Sequence, residues 1–480
     1  MKKLFSLVLC MLLLCACFSG CGRSADTGKV VVCFDIANYN GSVSTKSAVN
    51  SFLGWVDDCH QYLDLSISSE DIELEIIPGM EAEPVERSAA LQRIRAEIMA
   101  GRGPDVFICV SNGTFTPFGA ELHFRDEDIG LFPYVEKLRE SGMFLPLDGM
   151  LSNLTLSHVD DLLPQVMSGG KNQAGEQVIL PLTFVVPGTI IVGDDLPECD
   201  FEGTSWADVL QGDDPVLREQ GNWFLQFYDI ADETYTHMGN HDSGLFCLYP
   251  RIVDFETDSL AFTEGELASL IKDSLAGYRQ FVESGTAQPC FGSIYLSPWD
   301  FFWREHYSPE QPNEVTDLDF TFFPLRNLEG GSTAVVNAYC AVNAATEREE
   351  QALAVIDALL YRDHQKGGML YQHFAGMPIN KELVSPEIKY INLPPLTPKQ
   401  YETWLRICED INIVRFPSPL DRELNAMMRD IEDPTLVSRY PDGFIRLSGG
   451  RFANFDVTGE EVDSIVSEHY RNMQRLLDES

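Results

Sequence analysis

The segment spanning residues 91–114 constrains the fold of this chain more than any other stretch. Apolar side chains recur there at the spacing of one helix face, which predicts a helix lying against a sheet. Gly101 comes just after them and predicts a left-handed cap that ends the helix. Val106–Val110 is uniformly apolar, which is typical of a strand covered on both faces. The predicted apolar face consists of Leu91, Ile94, Ile98 and Met99, and the predicted wet face of Arg93, Arg95 and Glu97.

The residues before this segment complete a repeating unit. The segments 29–35 and 72–77 are rich in apolar and β-branched residues, which predicts two strands, and residues 46–65 carry helical apolar spacing between them. Strand, helix, strand, helix and strand in succession indicate a doubly wound α/β fold with a mostly parallel sheet. Ligands of such sheets bind outside the carboxyl ends of the strands.

Polar and aromatic residues stand at two of these strand ends. Asn38 and Tyr39 follow the first predicted strand, and Asn112 follows the third. Because parallel strands end at one edge of a sheet, we expect these three side chains to share a ligand-binding rim. Asp105 belongs to the connection before the third strand and is a weaker candidate than Asn112.

The amino terminus has the pattern of an export signal. Lys2 and Lys3 precede an apolar run at residues 4–14, which is too short to span a bilayer stably. Residues 18–21 resemble a bacterial lipobox, in which the leader is cut before a cysteine that is then acylated. We therefore predict a leader at 1–20, lipidation of Cys21 and a tether at 21–28. A box ending at Cys17 and a plain secretory leader stay open as alternatives.

The charge balance restricts the partners. The net charge of −40 becomes −42 once Lys2 and Lys3 leave with the leader. So acidic a protein is a poor ligand for nucleic acid or for an anionic lipid surface, which argues that only the lipid anchor contacts the membrane.

The cysteines predict free thiols. Of the 12 in the chain, three leave with the leader and Cys21 would carry lipid. No C-x-x-C motif is present, so the sequence indicates neither a zinc site nor a thioredoxin-like centre. Four of the remaining cysteines lie in apolar runs, where a thiol packs as a small hydrophobic group. These four are Cys33, Cys109, Cys247 and Cys340.

Residues 100–108 resemble a segment found in extracellular solute-binding proteins of ABC importers, particularly the large sugar-binding group. Further segments resemble this family in the same order along the chain. They are residues 142–148, 171–181, 205–208, 319–324 and 376–381.

The resemblance implies a type II periplasmic-binding-protein-like fold. Such a fold has two α/β lobes, each a mostly parallel sheet flanked by helices, joined by a hinge of several strands. The expected lobes are 29–185 with 330–376, and 190–325 with 380–480. The expected crossings lie near 180–191, 319–329 and 376–381.

Aromatic residues of the expected second lobe complete the predicted site. In the sugar-binding relatives an apolar strand ends in proline or glycine and then in a tryptophan that stacks on a sugar ring, and Trp299 fits that position. The spacing of Trp299 and Trp303 also fits two core residues of a helix. Tyr228 lies before a polar loop, and Phe184 lies beside the first crossing.

Two expectations concern the last part of the chain. Residues 346–349 have the spacing of a capping box, with Thr346 and Glu349 each bonding a free backbone amide at a helix start. From residue 393 to the end, the chain is expected to be helical and to pack across the second lobe.

The resemblance implies a lipid-anchored substrate-binding component of an ABC importer on the extracytoplasmic face of a bacterial membrane. Such a protein is expected to capture a carbohydrate, here an oligosaccharide, by closing its two lobes. We expect a monomer that delivers its solute to permease subunits, without cofactor, metal or catalysis. An adhesin with the same fold is the alternative. A more remote one is a metallophosphatase, because residues 239–242 match one of its boxes and residues 58–60 imitate another, although its remaining boxes are missing.

Overall fold

The computed structural model describes residues 28–36, 45–79, 83–110, 130–192, 204–211, 248–284, 293–296, 320–361, 376–384, 398–431 and 457–479. Its strands are β1 (Val30–Ile36), β2 (Ile72–Ile76), β3 (Val106–Val110), β4 (Leu180–Val192), β5 (Val253–Asp254), β6 (Ser259–Leu260), β7 (Ser293–Leu296), β8 (Phe320–Pro324), β9 (Ser332–Val342), β10 (Met377–Pro378) and β11 (Ile411–Arg415). Its α-helices are α1 (Thr45–Leu63), α2 (Pro84–Met99), α3 (Val135–Leu138), α4 (Asp148–Leu151), α5 (Pro164–Ser168), α6 (Trp206–Gln211), α7 (Glu264–Ser284), α8 (Glu349–Leu360), α9 (Pro398–Asp410), α10 (Pro419–Ile431) and α11 (Gly459–Asp478).

The main sheet confirms the α/β class. Its strands run in the order β10-β4-β9-β3-β1-β2, and β11 pairs with β9 while β7 and β8 pair with β4. The first three strands pair in parallel, as the strand and helix alternation predicts. Antiparallel pairing enters where β9 lies beside β3 and where β4 lies beside β9.

Strand β4 changes its partners along its length. Residues 180–185 pair with β9, whereas residues 186–192 pair with β7 and β8. One continuous strand therefore belongs to two sets of pairings, at the position predicted for the first crossing. The lobe boundaries themselves stay a prediction.

Two apolar clusters cover the two faces of the sheet. Alternate residues of β1 and β3 face opposite ways, because side chains in a strand have a period of two. The first cluster contains Phe34 of β1 and side chains of α1, α8 and α9. The cluster on the opposite face contains Phe107 of β3 and the apolar face of α2. This covering on both faces explains why every residue of β3 is buried.

A second cluster is built from helices. It contains buried side chains of α6, α7, α10 and α11, with Trp206 fully buried among them. Helix α11 packs on α7 and α10 and buries Val462, Val466 and Met473. The predicted helix at the end of the chain is thus confirmed, and its packing across the expected second lobe stays a prediction.

Helix α2 follows the prediction at its cap and departs from it most clearly at Met99 and Arg95. Gly101 has a φ of +67°, the left-handed conformation that the cap requires. Met99 is 84% exposed, so its assignment to the apolar face is wrong; it lies about 100° around the helix from the buried Ile98. Arg95 is half-buried rather than wet, because its guanidinium donates to the carbonyls of Gly130 and Leu131 at 2.6 and 2.9 Å.

The predicted capping box at residues 346–349 is wrong. Helix α8 begins at Glu349, and its N-cap Arg348 makes no side-chain cap. Thr346 lies two residues too early for a cap. Its hydroxyl accepts from the amide of Arg348 at 3.1 Å and donates to the buried carboxylate of Asp105 at 2.7 Å. Asp105 therefore stabilises the connection before β3, which agrees with the expectation that it is a weaker candidate for the ligand site than Asn112.

The prediction of a wholly helical end is also wrong, because β11 lies between α9 and α10 and pairs in parallel with β9. Ile411 and Ile413 are buried while Asn412 between them is exposed, a period of two that is typical of a strand. Helix α9 ends at Asp410, and its residues Trp404 and Ile407 lie in the first cluster.

A buried ion pair ties several of these elements together. Arg326, in the turn between β8 and β9, forms a two-pronged pair with Asp410 at the end of α9. Its Nε donates to the carbonyl of Thr204 at 3.0 Å, just before α6. The Arg326 side chain is fully buried, and that of Asp410 is only 9% exposed. Because both charges are removed from water, the loss of either partner would leave the other charge buried and uncompensated.

We predict that Arg326→Met lowers the free energy of unfolding by about 3–5 kcal/mol, because Asp410 is left buried without its partner. Urea unfolding monitored by circular dichroism measures the change. Arg93→Met is the matched control; Arg93 is 46% exposed and pairs with Glu75, so it should cost less than about 1 kcal/mol. Equal costs for the two variants would contradict the role assigned to burial.

A histidine joins the two last helices. His469 on α11 has its Nδ1 2.7 Å from a carboxylate oxygen of Glu423 and its Nε2 2.9 Å from one of Asp430, both on α10. Ionised carboxylates only accept hydrogen bonds, so both ring nitrogens must donate and the imidazole must be charged. Burial lowers the pKa of His469, but its hydrogen bonds to Glu423 and Asp430 outweigh burial and raise that pKa above its ordinary value.

This arrangement predicts a pH-dependent stability. A raised folded-state pKa stabilises the fold fully below the unfolded-state pKa, and this stabilisation is lost as pH rises through the folded-state pKa. The free energy of unfolding of the wild type should therefore exceed that of His469→Gln most at pH about 5–6 and approach it at pH about 9.

Ser141→Ala is the control, because it removes a hydrogen bond from a hydroxyl that does not titrate in this range; the Ser141 hydroxyl donates to the carbonyl of Leu138 at 2.7 Å. Its difference from the wild type should vary little over the same range. A difference for His469→Gln that did not change with pH would show that its imidazole is neutral in the fold.

Candidate ligand-binding site

Two strands end side by side at the edge where the sequence predicts a ligand. Ile36, the last residue of β1, pairs with Val110, the last residue of β3. Asn38 and Tyr39 follow the first of these ends and Asn112 follows the second. All three lie outside the described residues, so their contribution to a site stays a prediction.

A buried ion pair supports this edge. Asp35 is 1% exposed, and its carboxylate accepts from the guanidinium of Arg87 at 2.9 Å and from the amide of Leu131 at 2.6 Å. Arg87 comes from α2 and also donates to the carbonyl of Pro78 at 2.9 Å. The carboxylate of one strand thus fixes a helix and a loop around the strand ends.

A cavity of about 50 Å³ opens beside Asp35. Cys109 and Tyr339 line it from the sheet, and residues 130–133 and 416–419 line it from two loops. Small-molecule pockets commonly measure about 300–1,000 Å³, so this cavity has room for a few water molecules but not for a sugar ring. The described residues alone do not form a complete sugar site.

Three cavity residues lie in one row across the sheet. Asp35 pairs with Cys109, and Cys109 pairs with Tyr339 on β9. Burial raises the pKa of the Cys109 thiol, and the nearby Asp35 raises it further. Burial likewise raises the pKa of the Tyr339 hydroxyl. Both groups are therefore neutral near pH 7, and the Cys109 thiol is a poor nucleophile.

Phe184 lies in β4 and is fully buried. Its ring stacks on the indole of Trp404 with centroids 5.6 Å apart and an angle of 27° between the planes. A ligand does not reach the ring in this conformation. A contact between Phe184 and the ligand stays a prediction.

The two aromatic candidates of the predicted second lobe, Tyr228 and Trp299, lie outside the described residues. The strand that leads to Trp299 is described: β7 ends at Leu296, which pairs with Val186 of β4. The last described residue before Trp299 thus lies opposite the residue two positions beyond Phe184 on β4.

Sequence reasoning missed the loop at residues 416–419. The Phe416 ring meets Tyr339 edge-on at 5.5 Å, and Ser418 bonds Asp421 at 2.9 Å to begin α10. Asp421 is fully buried against Arg415, and burial raises its pKa above the ordinary value. The serine followed three residues later by an acid is the cap spacing that could have revealed this start.

The described residues give no support to the phosphatase alternative. Residues 58–60 lie inside α1, with Cys59 buried in the first cluster. Within the described ranges no group of three potential metal ligands occurs, and no helix there has the length and hydropathy of a membrane span. Residues 239–242 lie outside these ranges. The described cysteines are free and buried, as predicted for Cys33, Cys109 and Cys340.

Comparison of the sequence with known families gives no match to any family model. No curated protein matches the sequence either.

Many solved structures match nearly the whole chain, and extracellular solute-binding proteins of ABC transporters are prominent among them. A de novo designed cysteine esterase, ECH19, has 13% identity and a TM-score of 0.50, over 95% of this chain and 99% of its own. A family 1 extracellular solute-binding protein from Alicyclobacillus acidocaldarius has 12% identity and a TM-score of 0.47, over 95% of this chain and 100% of its own.

A third match is the cyclic alpha-maltosyl-1,6-maltose binding protein from Arthrobacter globiformis, with 13% identity and a TM-score of 0.47, over 93% of this chain and 99% of its own. At these identities the likeness concerns the fold alone.

Proposed function

We propose that this protein is the lipid-anchored substrate-binding component of an ABC importer, which captures an oligosaccharide by closing two lobes over it. The observation that carries the proposal is the partner change along β4, where one strand leaves the pairing with β9 and enters the pairing with β7 and β8. Its position agrees with the first crossing implied by the ordered family-like segments.

The proposed mechanism is hinge closure. When contacts to a ligand exist on both lobes only in the closed form, binding shifts the population from open to closed. The proposed lobes are 29–185 with 330–376, and 190–325 with 380–480. Because α9 and β11 join the first cluster and its sheet, we place residues 398–415 with the first lobe instead.

The proposed ligand contacts come from both lobes. Asn38, Tyr39 and Asn112 supply amide and hydroxyl partners from the first lobe, with Phe184 beside the crossing. Tyr228 and Trp299 supply aromatic faces from the second, which cover the C–H patches of a pyranose. No step of this function requires a catalytic residue, a metal or a cofactor.

The proposed location is the outer face of a bacterial membrane, with Cys21 acylated and residues 21–28 as tether. In this position the protein would hand its solute to permease subunits. An acidic surface is compatible with this role because the lipid, rather than the protein surface, holds the membrane.

A sugar panel tests the ligand class. We predict that one oligosaccharide, with cyclic alpha-maltosyl-1,6-maltose as the first probe, raises the melting temperature, since a ligand at 100 times its dissociation constant adds about 2.7 kcal/mol to stability. Trp299→Ala should then weaken binding by at least about fivefold, the equivalent of a lost stacking contact of about 1 kcal/mol. Isothermal titration measures the affinity.

Trp303→Ala is the matched control, a neighbouring tryptophan to which no ligand contact is assigned. Its effect should stay within about twofold. If Trp299→Ala also stays within that range, the site assignment is wrong. If no sugar or other small solute in the panel binds, the transport proposal fails and the result favours the adhesin alternative.

Metabolic labelling with palmitate tests the anchor. In a bacterial host, wild-type protein and Cys17→Ser should take up label, whereas Cys21→Ser should not, because only the cysteine at the cleavage site is acylated. The reverse pattern would move the lipidation site to Cys17, and absence of label in the wild type would indicate a plain secretory leader.

A further inference from the structure

Four features of the structure coincide at Phe184. The pairing of β4 with β9 shifts register between Thr183 and Phe184. Two residues later, at Val186, β4 begins to pair with β7. Strand β10 joins β4 at this same point, through Met377. The Phe184 ring is stacked on Trp404 of α9.

The backbone just before β10 approaches Phe184 unusually closely. Gly376 has a φ of +121°, and a Cβ added there would lie 2.9 Å from the carbonyl oxygen of Phe184. A side chain at residue 376 would push the two strands apart. Two connecting strands therefore meet at one residue with no side chain between them.

Trp404 is buried at this meeting point with an unsatisfied donor. Its side chain is fully buried, and its Nε1 has no hydrogen-bond partner in the described structure. A buried N–H without an acceptor costs free energy that ordinary core packing avoids. The fully buried Trp206 of the second cluster, by contrast, donates its Nε1 to Ser274 at 3.4 Å.

We propose that Phe184 is the pivot at which β4 bends, and that Trp404 is a positioning residue that holds the pivot and thereby sets ligand affinity without touching the ligand. The inference rests on the proposed function for its effect on binding, but the pivot itself exists with or without a ligand. A stacked ring fixes the direction of the strand at the residue where its pairing changes. A smaller ring would leave a gap beneath Phe184, and the strand would bend there more easily.

Hydrogen exchange of the ligand-free protein, read at residue level by mass spectrometry with fragmentation, tests the pivot. In the wild type, the amides of residues 183–186 should exchange at least about tenfold faster than those of residues 188–191, since a strand opens first where its partners change. In Trp404→Phe, exchange at 183–186 and at Met377 should rise by a further fivefold or more. Uniform protection along β4 in the wild type would overturn the proposal even if no variant folded.

Trp206→Phe is the matched control, because it shortens another fully buried tryptophan, which lies in the second cluster and donates its Nε1 to Ser274 of α7. It should speed exchange in α6 and α7 and, because Val185 belongs to the same cluster, change exchange at residues 183–186 by less than half as much as Trp404→Phe does. If Trp404→Phe instead speeds exchange evenly through α8, α9 and β1, then Trp404 is only a core residue and the proposal is wrong.

Affinity separates this inference from the proposed function. With a sugar that the wild type binds, Trp404→Phe should change the dissociation constant by at least about threefold and Trp206→Phe by less than twofold. An unchanged affinity in Trp404→Phe overturns its influence on the site. If no sugar binds the wild type, the proposed function fails, and the exchange pattern alone still decides whether Phe184 is the pivot.

Discussion

The antiparallel pairing of β4 with β9 is the constraint on which the described sheet depends. Strands β7, β8 and β10 reach the sheet only through β4, and β3 and β11 join it through β9. These two strands are also the longest of the sheet, at 13 and 11 residues. The parallel strands at the amino terminus therefore extend a sheet whose centre comes from much later in the chain.

Buried arginines complement this sheet in a protein with far more acids than bases. The chain has 74 acidic and 34 basic residues, yet three arginines within the described ranges are buried. Arg87 meets Asp35, Arg326 meets Asp410 and Arg415 meets Asp421. Each pair joins elements distant in sequence or starts a helix, so the basic residues hold the fold together while the surface keeps its negative charge.

The sequence predicts the local elements well because their signals are local. Five consecutive apolar residues at Val106–Val110 indicate a strand buried on both faces, and a single glycine, Gly101, indicates the helix cap. The errors arise where a distant residue decides. Thr346 bonds Asp105 from 241 positions away instead of capping its own helix, and β11 exists because β9 offers it an edge. The candidate site depends still more on distant residues. The resemblance places Phe184 beside a crossing, but the packing of its ring against Trp404 depends on a helix 220 residues later that no local pattern reveals.

The buried thiols have a consequence for the surroundings in which this protein can work. In Cys33, Cys59, Cys109, Cys340 and Cys408, burial raises the pKa, and for Cys59 the value reaches about 12. Oxidants and disulfide exchange attack the thiolate form, which these residues almost never adopt. At these five positions the fold therefore needs neither an oxidising enzyme to mature nor a reductant to persist, and it keeps the same covalent structure with or without oxygen.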